Sequence, residues 1–146
     1  MKTNAISIAV GMALIAAYVI GESRIRDVKF PFRGAWTGQI NGLPGIDLNI
    51  EQIWGKISGV VVFYRQKRAS VNEPWQVTGE YRTTLLQPRV AGKVLTFETQ
   101  HHACDGCEAL GPNAKFRFEL TGVDEARFWN LTENPHGAGL TLLRRR

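Results

Sequence analysis

From Gly34 to the C-terminus the chain is a succession of short β-branched and aromatic runs broken by Gly, Pro, Asn and Asp, and within several runs apolar and polar residues alternate. Ile46, Leu48 and Ile50 interleave with Asp47, Asn49 and Glu51, and Phe116, Phe118 and Leu120 interleave with Lys115, Arg117 and Glu119. A two-residue period sends successive side chains to opposite faces of an extended strand, so each of these runs has one greasy face and one wet face. No stretch beyond Gly34 sustains a 3.6-residue period, which leaves an all-β domain.

The pattern predicts about eight strands, near 35–41, 46–54, 56–68, 75–86, 93–101, 114–120, 126–131 and 140–144. Turn chemistry separates them: Asn41-Gly42-Leu43-Pro44-Gly45, Ala91-Gly92-Lys93, Gly111-Pro112-Asn113 and Gly122-Val123-Asp124. Connections this short favour up-and-down ordering. An open sheet with one apolar face invites aggregation, so a single antiparallel up-and-down β-barrel is the expected architecture, with a β-sandwich as the alternative. The third run is apolar at both parities, Ile57, Val61 and Phe63 against Val60, Val62 and Tyr64. Its outer face therefore needs a cover: the linker, the C-terminal tail, or another molecule.

Ahead of the domain, Lys2 is followed by an uncharged, mainly apolar run from Ala5 to Gly21. A basic start and an apolar stretch of this length fit a signal peptide, or a helical anchor just long enough to span a bilayer. The expected organisation is residues 1–21 as signal or anchor, 22–33 as linker and 34–146 as the barrel, with the domain secreted, periplasmic or membrane-anchored outside the cytoplasm. Arg24, Arg26, Lys29 and Arg33 behind the run oppose the usual charge bias for export. With 146 residues, 44% hydrophobic and 21% charged, the chain holds one ordinary domain. Past Gly21 its formal charge is +4, from 17 basic residues against 13 acidic ones, much of it in Lys67-Arg68 and Arg144-Arg145-Arg146. That reads as a solvated loop and tail, or as attraction to an anionic surface. The aromatic residues do not interleave with the basic ones as a stacking platform for nucleic acid does, so no nucleic-acid partner is expected.

Gly34-Ala35-Trp36, at the start of the first strand, resembles the G-x-W signature of the lipocalin or calycin superfamily. The series Ile57-Ser58-Gly59-Val60, Thr78-Gly79, Leu95-Thr96-Phe97 and Leu120-Thr121-Gly122 resembles small lipocalin-like bacterial domains. The resemblance implies a barrel whose Trp36 closes one end against Arg144 or Arg145 of the last strand, as a stacked cation-π pair worth ~1 kcal/mol. It also implies carriage of a small apolar molecule without catalysis. Apart from the resemblance, Trp36 reads as a core residue of another β fold.

Inward parity selects Phe63, Tyr81, Phe97, Phe116, Phe118 and Phe128 as candidate ligand-binding residues. An eight-stranded interior is either filled by such side chains or just able to hold one ligand. The most local chemical signal is His101-His102-Ala103-Cys104-Asp105-Gly106-Cys107, which contains the chain's two cysteines. Asp-Gly promotes a turn that brings Cys104 and Cys107 near disulfide range, and a small disulfide suits an exported domain. Zinc and a reactive dithiol are the alternatives, but adjacent strand residues face opposite ways, so His101 and His102 do not both join the thiols. No metal and no cofactor are expected. His136 sits in a glycine-bounded turn, and no nucleophile elbow or phosphate-binding glycine loop occurs, so an enzyme is not expected. Asn130-Leu131-Thr132 matches a glycosylation sequon. The sequence thus points to a non-catalytic exported or tethered barrel binding a small apolar ligand, or else to a filled structural module of the cell envelope, in an oligomeric state that is open.

Overall fold

A computed structural model describes residues 30–102 and 107–146. The expected N-terminal helix, nearly all of the expected linker, and Cys104 lie outside these residues. The chain divides into two compact units, Met1–Phe30 and Pro31–Arg146, and the fold below is that of the second.

Nine strands make it up: β1 Gly34–Ile40, β2 Leu43–Ile53, β3 Lys56–Lys67, β4 Gln76–Thr84, β5 Leu86–Ala91, β6 Val94–Thr99, β7 Ala114–Leu120, β8 Glu125–Asn130 and β9 Leu140–Arg144. They form one sheet in the order β4-β3-β2-β1-β9-β8-β7-β6-β5, every neighbouring pair antiparallel. The described residues contain no helix. First and last strands are neighbours, Trp36 opposite Arg144, so the meander curls into a half-barrel. Gly38 makes this contact possible: a Cβ there would lie 2.3 Å from Leu142 Cδ2. Any larger residue would have to displace the Leu142 and Leu140 side chains.

The expectation of about eight strands is corrected by β5. The sequence pattern ends the fourth strand at Leu86 and places turn chemistry at Ala91-Gly92-Lys93; Pro88 between them lacks a backbone donor. In the fold Leu86–Ala91 lies at the sheet edge, where a missing donor breaks no inner ladder. The ladder shifts register between Leu86 and Arg89, and Gln87 takes φ 48°. The chain changes partner within one residue: Leu85 N–H donates to Gly59 O of β3 (3.1 Å), and Leu86 then pairs with Glu98 of β6. No ladder joins β4 to β5. The first connection is also tighter than expected, a two-residue turn at Asn41-Gly42 with φ 54° and 75°. Asn-Gly suits such a turn. Leu43, Pro44 and Gly45 belong to β2, and a register shift at Gly38/Gln39 absorbs the extra residue.

The alternating faces resolve as the period requires. Ile46, Leu48 and Ile50 of β2, Val61 of β3, Leu95 and Phe97 of β6, and Phe116 and Phe118 of β7 are buried on one side of the sheet. Phe32, ahead of β1, is fully buried with them, so the apolar interior begins before Gly34.

Candidate functional site

The interior has two ends. At the end where β1 starts, Trp36 is 1% exposed and Phe118 is 0% exposed, with their rings edge to face at 5.0 Å. Phe32 lies against Phe118 at 6.1 Å, and the Trp36 indole N–H donates to Phe32 O (3.0 Å). The Arg144 guanidinium stands over the Trp36 ring, 4.2 Å from its centroid. It also donates to three backbone carbonyls, Pro31 O (2.7 Å), Val123 O (3.0 Å) and Arg33 O. Asp124 Oδ1 is 3.3 Å from its Nε, within ion-pair range but off the N–H direction. One cation therefore ties the incoming chain, the β7–β8 turn and the last strand around an indole. The planar fork of arginine suits this set of acceptors; a lysine ammonium does not span them.

The other end carries an open depression, above Phe116 and Phe128 that are themselves buried. A cavity of about 490 Å³ opens to solvent, lined by apolar Ile46, Phe63, Phe116, Phe128 and Leu140 and rimmed by Asn130, Glu133 and Asn134. Its volume lies in the range of small-molecule sites. Phe63, Phe116 and Phe128 form its aromatic wall, with centroids 5.3–6.5 Å apart. Phe97 stacks behind Phe116 (5.5 Å) and Tyr81 stacks on Phe63 (6.4 Å), so both back the wall without lining the cavity. Of the six aromatic residues chosen by parity, three line the cavity, two support it, and Phe118 lies at the plugged end.

The rim is built by the segment after β8. Asn130 Oδ1 accepts the N–H groups of Thr132 and Glu133, both at 3.1 Å, and Thr132 Oγ1 accepts Lys115 N–H at 2.8 Å. The sequon residues Asn130 and Thr132 thus knit the rim to β7. Trp129 donates its indole N–H to Gly137 O (2.9 Å), holding the returning chain over the mouth. Sequence reading missed Asn130, Glu133, Asn134 and Trp129. The available signal was the Asn-x-Thr spacing, which also marks an Asn side chain able to cap its own following turn.

The loop after β6 folds back on itself. His102 bridges to Ala109, Leu110 N–H donates to His101 O (2.6 Å), and the His102 Nδ1–H donates to Cys107 O (2.6 Å). Tyr81 Oη donates to Gln100 O (2.5 Å), linking β4 to this loop across the unpaired side of the sheet. Among the described residues no cysteine is a free thiol, and no three His, Cys, Asp or Glu side chains gather as a metal site. His136 is exposed on the rim segment.

On the outer face a shallower depression of about 280 Å³ is bounded by Asp47, Val60, Val62, Tyr64, Arg82 and Arg145. The tail residue Arg145 reaches over β1 to Asp47 Oδ1 (2.7 Å), while Tyr64 Oη donates to Asp47 Oδ2 (2.8 Å). This tail contact helps to cover the doubly apolar stretch of β3, where Val62 is buried. Its bond to the Asp47 carboxylate, then burial and the negative charges of Asp47 and Glu80, push the Tyr64 hydroxyl above its ordinary pKa near 10, with Arg145 opposing.

No protein-family model, curated protein or solved structure matches this chain.

Proposed function

We propose that the domain is a non-catalytic carrier of a small apolar ligand, held in the cavity at the open end of a lipocalin-like barrel whose seam lies between β4 and β5. The observation that carries this is the contrast inside one apolar interior: a plugged end, and an aromatic-walled space of about 490 Å³ open at the other. A chain that served only as a filled envelope module has no physical need for this hollow, since unfilled space beside apolar side chains forfeits dispersion contacts. The lining supports binding without chemistry: it is apolar and amide-rich, and Glu133 is its one acidic or basic residue.

The same reading assigns the domain to the outside of the cytoplasm, behind an apolar segment at 5–21 that is either cleaved or retained as a tether. A Cys104–Cys107 disulfide fits that compartment and the absence of a free cysteine among the described residues. Thiol titration of protein isolated without reductant should find no reactive thiol, and two after unfolding in reductant.

Native mass spectrometry of the domain with a fluorescent hydrophobic dye tests the ligand reading. One dye per chain is expected, and Leu140→Trp, which fills the mouth, should abolish uptake while leaving the fold intact. Uptake that is absent in the wild type, or unchanged in Leu140→Trp, contradicts it.

A further inference from the structure

The curled sheet ends in two edge strands, β4 and β5, and they are finished differently. Strand β5 is guarded: Pro88 withholds a backbone donor, Gln87 takes φ 48°, and the ladder shifts register between Leu86 and Arg89. Proline and irregular backbone are common means of keeping an edge from pairing with another chain. The nine residues of β4 contain no proline, and from Gly79 to Thr84 their register against β3 is unbroken. Leu85 N–H donates to Gly59 O of β3, and in an antiparallel ladder such groups address alternate sides of a strand. Thr83, Tyr81 and Gly79 therefore bond toward β3 in step with Leu85. Thr84, Arg82 and Glu80 turn their N–H and C=O groups to the open edge, where no strand of the described residues pairs with them. Tyr81 lies on the inner face, stacked on Phe63, and reaches the loop after β6 from there. Glu80 and Arg82 stand on the outer face, opposite Tyr64 and Val62, and both are exposed.

We infer that β4 is a self-association edge, which pairs antiparallel with β4 of a second copy of this chain about a twofold axis at Tyr81. The spacing of two opposite charges selects this occupant. With Tyr81 opposite the partner's Tyr81, Glu80 faces the partner's Arg82 and Arg82 faces the partner's Glu80, so one twofold axis satisfies both charges in both copies. These are also the residues whose backbone groups turn outward, so each pair exchanges two N–H···O=C bonds. A slip of two residues keeps the bonding but sets Glu80 against the partner's Glu80, or Arg82 against the partner's Arg82. A slip of one residue sets outward groups against groups already bonded to β3. Backbone and charge thus choose the same register, and the two outer faces continue into each other.

The test uses the full chain in detergent micelles, with native mass spectrometry counting copies per complex as concentration rises. The wild type should pass from one copy to two. Glu80→Arg and Arg82→Glu each set like charges opposite one another twice, and each should stay single over the same range. An equimolar mixture of the two variants should regain dimers that hold one chain of each, because each supplies the charges that the other lacks. The double variant Glu80→Arg/Arg82→Glu should dimerise as the wild type does. Both positions are exposed, so urea denaturation of the single variants should match the wild type, which separates lost pairing from lost fold. A dimer held through the apolar run at 5–21 instead would survive either single reversal. That result, a wild type that stays single, or a mixture without mixed dimers overturns the pairing.

Discussion

The two ends of this curled sheet are made from the same ingredients and do opposite things. At the plugged end Trp36, Phe118 and Phe32 meet at full burial, and Arg144 ties three stretches of backbone around them. At the open end Phe63, Phe116 and Phe128 also contact one another, and a depression open to solvent lies over them. Aromatic content therefore does not decide whether the inside of a curled sheet is solid. A plug forms where a buried indole and a fork-shaped cation gather the chain ends over the rings. A cavity remains where the covering segment, 131–139, is a polar turn tied to its own strands.

This contrast can be broken by substitution, and the largest effect belongs to the plug. Trp36→Ala should cost about 3–5 kcal/mol, the range for emptying a buried aromatic site, measured by urea denaturation. Arg144→Met keeps much of the apolar stem but strips three carbonyls of their donor and the indole of its cation, for an expected loss of about 2 kcal/mol. Arg144→Lys should recover little of it, because an ammonium does not reproduce the fork. Phe63→Ala, at the half-exposed wall of the existing cavity, should cost about 1–2 kcal/mol while changing dye affinity far more than Trp36 substitutions that still fold. Equal costs at Trp36 and Phe63 would erase the distinction between the ends.

The smallest effect concerns the outer face, where pH probes the tail contact. Tyr64 is neutral when protonated, and its folded pKa lies above the ordinary value of about 10. The stability this confers is fully present below pH ~10 and is lost as pH rises through the folded value. Ultraviolet titration of the wild type against Tyr64→Phe should find the Tyr64 hydroxyl ionising above pH ~10, and Asp47→Asn should bring it back toward that value by removing the carboxylate that holds its proton.

Much of the curl was legible because the two-residue period is a local property. It marked Ile46, Leu48, Ile50, Phe116 and Phe118 as sharing an interior, and the strands at Ala114–Leu120 and Leu140–Arg144 match the expected bounds. Alternation reports the face of a strand and is silent on height along it. That is why Phe118 was grouped with Phe116 although the two lie at opposite ends of the interior, one against Trp36 and the other on the cavity wall. Strand β5 stayed hidden because Pro88 argues against a strand unless the strand is an edge, and edge position is a property of the assembled sheet. Phe32 was read as linker because one aromatic residue between Pro31 and Arg33 carries no period. The rim escaped notice for a different reason: Asn130, Glu133 and Asn134 are ordinary turn residues until the returning chain sets them over a cavity.

The central contrast is tested most directly by amide and aromatic NMR of the isotope-labelled protein during titration with the hydrophobic dye. Saturable shifts should cluster at Ile46, Phe63, Phe116, Phe128 and Leu140, while the Trp36 indole N–H, bonded to the carbonyl of Phe32, stays in place throughout. Shifts that spread evenly to Trp36 and Phe118, or that never saturate, would mean that the interior has no open end distinct from a solid one.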